Sequence, residues 1–195
     1  MTGRATALRS AIDLVQAPSR VRVAQSGPLP ADVPLLLRVA ARDEEALSHA
    51  EAASGRSREL IHAAAMFFVE QILLDPRSDS YRILGGDPST PAPDLRRNMA
   101  LLLRSLHPDI DPQGDSHAAA ARIAQAWNNV KTPERRAAYD AHLAEASPRP
   151  GRLLARKRSR RRLPAPKRVA VARRPGLLLR ALLFLFRRRR ATDGA

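Results

Sequence analysis

Apolar residues recur at intervals of three and four along much of the chain, which is the period of helices with one buried face. The first stretch shows no strong period and ends in Gly27-Pro28-Leu29-Pro30, so we predict a flexible lead-in over residues 1–30. One helix is predicted over residues 32–54, because Ser54-Gly55 supplies a stop signal, and a second over residues 57–74. The second is apolar nearly all round, which is typical of a buried helix.

The pattern is clearest in the segment 79–146. A short helix ends at Gly85-Gly86, and a longer helix then places Leu95, Met99, Leu102 and Leu106 on one face before His107-Pro108-Asp109 breaks it. After a polar loop, a third helix carries Ile123, Ala126, Trp127 and Val130 at the same spacing, and Thr132-Pro133 begins a fourth. Two amphipathic helices joined by a loop can pack their apolar faces into a small core.

Composition supports an all-α fold. No defensible strand-like alternation is present, and the 195 residues include one Trp, two Tyr and four Phe, few for a large β-sheet core. Cysteine is absent, which excludes a disulfide scaffold, a thiol nucleophile and a cysteine-ligated metal. The N-terminus lacks the apolar core of a secretory signal, so we expect a cytoplasmic protein.

Charge divides the chain into a near-neutral body and a basic tail. The net charge is +15, and residues 147–195 hold 17 Lys and Arg against the single acid Asp193. Prolines and like charges disfavour packing there, so we predict a disordered polybasic tail. Its expected anion-binding residues are Arg156, Lys157, Arg158, Arg160, Arg161, Arg162, Arg187, Arg188, Arg189 and Arg190.

Residues 177–186 form a short apolar helix in this prediction, too short to span a bilayer, which takes about 17–25 residues. The tail is compatible with an anionic membrane surface, with nucleic acid or with neither.

Four phrases of the segment 79–146 together resemble the J-domain of DnaJ-type co-chaperones. They are Tyr81-Arg82-Ile83-Leu84-Gly85, His107-Pro108-Asp109 at 26 residues from Tyr81, Ile123-Ala124-Gln125-Ala126-Trp127, and Arg136-Ala137-Ala138-Tyr139-Asp140. The tripeptide His107-Pro108-Asp109 alone is weak evidence for the family. All four phrases at these spacings are much harder to match by chance, so together they are stronger evidence. The resemblance covers about a third of the chain and implies a J-like domain over 78–146. We further predict that residues 31–77 are a helical extension packing on this domain.

The resemblance implies that the protein assists protein folding and is not itself an enzyme. J-domains dock on a DnaK-type chaperone and stimulate its ATP hydrolysis. By position, the stimulating loop is His107, Pro108 and Asp109, and the docking residues are Arg96, Arg97 and Arg104. The implied J-domain core consists of Tyr81, Leu84, Leu95, Leu102, Leu106, Ile123, Ala126, Trp127, Val130 and Tyr139.

The chain departs from the family pattern at two places. Where the family shows a basic stretch on its second helix, this chain has Met99-Ala100-Leu101, which removes two positive charges and predicts a weaker or more selective chaperone contact. A bulky family aromatic is replaced by Ala120, and we expect Phe67 or Phe68 of the extension to fill the gap. The Gly/Phe-rich linker and the cysteine-rich zinc module of longer DnaJ proteins are missing.

Other chemistry finds little support in the sequence. No nucleophile or phosphate-binding glycine loop accompanies His107, the remaining histidines lack metal-ligand spacing, and Asp109–Gly114 imitates a calcium loop only in part. We therefore expect no cofactor, no metal and no small-molecule substrate. Three functions remain open: an active co-chaperone, a J-like module that binds without stimulating, and a polyanion- or membrane-binding protein acting through its tail, on the inner face of the membrane in the last case.

Overall fold

The computed structural model describes residues 6–106 and 115–146, which are helical and contain no strand beyond one isolated bridge between Thr6 and Ala31. The predicted all-α fold is confirmed for this part of the chain. The predicted basic tail and its short apolar helix lie outside the described residues.

Five helices precede the J-like segment. They are α1 (Ala7–Gln16), α2 (Val21–Ser26), α3 (Val33–Ala40), α4 (Glu44–Ser54) and α5 (Arg58–Phe68), with a 3₁₀ turn at Pro18–Arg20 and a π-helical continuation of α5 at Val69–Leu73. Helix α5 is the centre of this group, because it packs against α1, α3 and α4. Its residues Ile61, Ala64 and Ala65 are fully buried, as expected for a helix that is apolar nearly all round.

The predicted flexible lead-in over 1–30 is wrong for the residues from Thr6 onward. The Thr6 hydroxyl caps α1 by accepting a hydrogen bond from the Arg9 backbone N–H at 3.4 Å, and α1 buries one face against α5. The buried side chains are Ala7, Leu8, Ala11, Ile12 and Leu14. Two of these five are alanines, which contribute little to a hydrophobic pattern, so the period is easy to overlook.

The predicted single helix over 32–54 is also wrong, because it is broken at Arg42. This residue adopts a left-handed backbone with φ 57°, and Asp43 then caps α4 by accepting a hydrogen bond from the Ala46 N–H at 3.0 Å. Glu44 and Glu45 follow in the first turn, where carboxylates interact favourably with the helix dipole. The run Asp43-Glu44-Glu45 is therefore a helix start signal, and it lies inside the stretch 32–54 that apolar spacing alone predicts as one continuous helix.

The J-like segment contains α6 (Ser80–Ile83), α7 (Ala92–Ser105), α8 (Asp115–Val130) and α9 (Pro133–Ala146). Helices α6 and α7 both pack against α8, and α3 of the extension packs against α7. The chain divides into two compact units at Ala137 and Ala138, within α9, so the described part of the second unit is the remainder of that helix.

Candidate functional site

The core residues implied by the resemblance lie at different depths. Seven of them are buried: Tyr81, Leu84, Leu95, Leu102, Ile123, Ala126 and Val130. Leu106, Trp127 and Tyr139 are half-buried and so are not full core residues. Leu106 caps the end of α7, and Trp127 lies at the edge of the buried face of α8, which explains their partial exposure.

Helix α7 carries the predicted docking residues, and burial of one side of this helix determines which of its side chains face solvent. Pro91 precedes its first residue and a second proline lies in its first turn, where a missing N–H costs little. Its buried residues are Leu95, Asn98, Leu102 and Ser105, and they share one side of the helix. Arg96, Arg97 and Arg104 consequently lie on the exposed side.

The three arginines differ in their partners. Arg97 pairs with Asp94 one turn earlier, with an Nη1–Oδ1 distance of 3.1 Å, and its side chain is 71% exposed. Arg96 and Arg104 form no hydrogen bond or ion pair with any residue of the described ranges 6–106 and 115–146. Their guanidinium groups are therefore available to carboxylates of a partner.

Arg104 lies near the corner between α3 and α4. The pKa of Asp43 is lowered by the hydrogen bond from the Ala46 N–H, then by that from Arg38, and further by the positive charge of Arg104. Arg38 is held to Asp43 through its Nε and Nη2 atoms, at 3.2 and 3.0 Å. The extension thus borders the C-terminal end of α7, the end that leads to the predicted loop.

The loop residues His107, Pro108 and Asp109 lie outside the described residues. The structure places their attachment points: α7 ends at Ser105, and α8 begins at Asp115 and packs against α7. The two helices therefore form a helical hairpin, and in the sequence the tripeptide lies between them.

Asn98 is a site residue that the sequence analysis missed. It is 2% exposed, and its side-chain amide donates to the Leu84 carbonyl at 3.0 Å. This bond ties α7 to the turn after α6. Its signal is a polar residue on the apolar face, at i+3 from Leu95 and i−4 from Leu102.

Arg136, at the start of α9, stabilises the end of the hairpin where α7 begins and α8 ends. Its guanidinium lies 5.2 Å from the centroid of the Tyr81 ring and its Nε donates to the Tyr81 hydroxyl at 3.1 Å. Its Nη2 also donates to the carbonyls of Pro88 and Thr90, at 2.8 and 2.9 Å. One side chain therefore joins α6, α9 and the loop before α7.

Two further arginines join the J-like segment to residues that precede it, Arg82 to the segment 1–30 and Arg122 to the extension. Arg82 of α6 donates to the carbonyls of Ala24 and Gly27 at 2.7 and 2.8 Å, and partial burial lowers the pKa of its guanidinium. Arg122 of α8 donates to the carbonyls of Leu74 and Asp75. Both arginines bind backbone carbonyls, so each links two segments that are far apart in the sequence.

The predicted filling of the gap at Ala120 stays a prediction. Ala120 is half-buried in α8, and Phe67 and Phe68 are buried in α5, but no contact between them is described. The anion-binding residues predicted between Arg156 and Arg190 lie beyond the described ranges.

Two kinds of feature are absent from the described part of the chain. It contains no group of three or more His, Asp or Glu side chains placed to hold a metal ion. Within the same ranges, none of the helices combines the length and apolar character needed to cross a membrane.

Comparison with known proteins identifies relatives that match over part of their length. The chain is 39% identical over 66 residues to the chaperone protein DnaJ of Tropheryma whipplei (strain Twist), covering 34% of this chain and 18% of that relative. It is 34% identical over 64 residues to DnaJ of Exiguobacterium sp. (strain ATCC BAA-1283 / AT1b), covering 33% and 17%. Over one domain-sized stretch, about a third of its length, the chain is similar to DnaJ chaperones. The resemblance seen in the sequence is thereby confirmed.

A relative with a different name matches over a stretch of similar length. The curved DNA-binding protein of Escherichia coli O1:K1 / APEC is 32% identical over 62 residues, covering 32% of this chain and 20% of that protein. The chain thus spans about a fifth of the length of the curated relatives it matches. No family model matches the chain. No solved structure matches it either.

Proposed function

We propose that this protein is a co-chaperone that docks on a DnaK-type ATP-dependent chaperone through α7 and stimulates its ATP hydrolysis through His107, Pro108 and Asp109. The observation that supports this most directly is the placement of Arg96 and Arg104. Both lie exposed on a helix fixed by its buried face, which precedes the tripeptide in the sequence, and neither forms a hydrogen bond or a short ion pair with a described residue.

Elementary chemistry assigns different roles to the two parts of this surface. Exposed arginines raise the rate of encounter with an acidic surface, and their effect decreases with salt. Pro108 restricts the backbone beside Asp109, so that its carboxylate is held ready to accept a charge-assisted hydrogen bond from a partner arginine. In this proposal the protein catalyses no reaction of its own, and the bond that breaks is in the partner's ATP.

The test is single-turnover ATP hydrolysis by a bacterial DnaK-type chaperone, with wild-type protein and with His107→Gln. We expect the wild type to accelerate hydrolysis and His107→Gln to remove the acceleration. His117→Gln is the matched control, because His117 is an exposed histidine of α8 in the same hairpin, and it should behave as the wild type.

Two other results would point elsewhere. If the wild type binds the chaperone without accelerating hydrolysis, the domain is a J-like module that has lost stimulation. If neither binding nor acceleration occurs, and lipid vesicles or DNA bind through residues 147–195, the tail carries the function. Deleting residues 147–195 should leave acceleration unchanged under our proposal, because the hairpin and its anchors lie within residues 6–137.

A further inference from the structure

The exposed side of α7 has an apolar centre. Arg96, Ala100, Leu103 and Arg104 follow one another at helical spacing and are all exposed, and we call this row the α7 stripe. Leu103 is 38% exposed, and only Val23, at 75%, is a more exposed large apolar side chain within the described ranges. Exposed apolar side chains among charged ones, here Ala100 midway along the row and Leu103 beside Arg104, are a common feature of protein-binding sites.

The ends of the α7 stripe are positively charged. Arg96 and Arg104 are eight residues apart, about 12 Å along the helix axis, and Ala100 and Leu103 lie between them. Neither guanidinium has an ion-pair partner in the part of the chain that the structure describes. The stripe is therefore two exposed cations, neither in a short ion pair, with a small apolar surface between them; Arg104 also acts on the Asp43 carboxylate at longer range.

We propose that the apolar centre, and not charge alone, determines which partner this helix accepts: a protein surface with an apolar patch between two carboxylates. This inference rests on the proposed function and commits to the DnaK-type chaperone as the protein that bears that surface. Because Ala100 contributes burial and no charge, docking through the stripe should respond less to salt than docking through a fully basic helix.

Other partners fit the stripe less well. A nucleic acid backbone presents a phosphate at every step, so an apolar centre would lie against charges that need water or cations. A membrane surface favours a helix with a broad apolar face, whereas the stripe offers one large apolar side chain. A carboxylate–apolar–carboxylate protein surface matches all four residues.

The experiment compares Leu103→Gln with Val23→Gln in the full-length protein. Both replace an exposed apolar side chain by a polar one of similar size, but Val23 lies on α2 and not on α7. We measure the Kd for an ATP-loaded, hydrolysis-deficient DnaK-type chaperone at two salt concentrations. Leu103→Gln should weaken binding about fivefold to tenfold, and Val23→Gln should leave the Kd unchanged. Ala100→Lys should make binding of the same chaperone more dependent on salt.

The outcomes separate this inference from the proposed function. If the wild type binds and stimulates but Leu103→Gln matches Val23→Gln, the inference is overturned and the proposed function stands. If the wild type does not bind the chaperone at all, both fail. A Leu103→Gln protein that loses binding to DNA or to anionic vesicles while keeping its chaperone Kd would also overturn the inference. Far-UV circular dichroism of each variant establishes that the helices are intact.

Discussion

A single methyl group at Gly85 should test whether the extension and the J-domain form one packed structure. Gly85 follows α6 with a left-handed backbone, φ +67°, and a Cβ built there would lie 2.8 Å from Val33 Cγ1 of the extension. Val33 is 3% exposed, and a β-branched side chain is stiff about its first torsion, so it has little freedom to move aside.

Gly85→Ala therefore carries two costs. The left-handed backbone costs an L-residue about 1 kcal/mol, and forcing a methyl group into a filled contact costs about 1–3 kcal/mol more. We expect the free energy of unfolding to decrease by about 2–4 kcal/mol in total. Urea unfolding followed by circular dichroism, and by the fluorescence of the single tryptophan Trp127, gives this free energy directly.

Gly55→Ala is the matched control for the backbone cost. Gly55 has nearly the same backbone, φ +62°, but a Cβ there would meet no atom within 4 Å. It should lose only about 1 kcal/mol. In the double variant with Val33→Ala, removal of the opposing methyl groups should recover at least about 1 kcal/mol relative to additivity. Equal losses in Gly85→Ala and Gly55→Ala would refute the packing of α3 against this turn.

Two further predictions concern polar groups. Arg136→Ala should lower the free energy of unfolding by about 2 kcal/mol in the same urea titration, because it removes three hydrogen bonds and the contact with the Tyr81 ring. Arg135→Ala is the control: the Arg135 side chain is exposed, and its loss should change this free energy by less than about 0.5 kcal/mol. Burial, and then the charge of Arg42, lowers the pKa of His62 in the folded protein below its usual 6.5. As the pH decreases, the unfolded chain therefore takes up this proton before the folded chain does. The free energy of unfolding should consequently decrease as the pH falls below about 6.5. Thermal unfolding between pH 7.5 and 5 should show this loss in the wild type and in His49→Gln, and a smaller loss in His62→Gln.

The sequence predicts correctly those helices whose large apolar residues recur at helical spacing and whose ends are marked by residues that stop a helix. Helix α7 is framed by prolines at one end and by Pro108 beyond the other, and its buried Leu95 and Leu102 are large apolar residues at helical spacing. Helix α1 also has a regular period, but two of its buried positions are alanines. The break at Arg42 depends on a cap at Asp43 that apolar spacing does not reveal.

The polar anchors could not have been predicted from local sequence. Arg82, Arg122 and Arg136 all bind backbone carbonyls, at least 46 residues away along the chain in each case. Every residue has a backbone carbonyl, so the residue that accepts such a bond cannot be recognised from its identity in the sequence. Only Asn98 gives a hint, because a polar side chain on an apolar helical face requires a buried partner.

The packing of the extension limits what a partner can touch. On α7, the residues buried against the rest of the fold and those left exposed occupy opposite sides, and α3 and α8 both contact this helix. At about 100° per residue, the exposed positions from Arg96 to Arg104 cover a sector of roughly 120° centred near Ala100. A partner that approaches the hairpin along α7 must therefore meet the apolar centre of the stripe together with its arginines. The loss of positive charge at Ala100 is then a change at the middle of the accessible surface, where a single side chain has the greatest effect on binding.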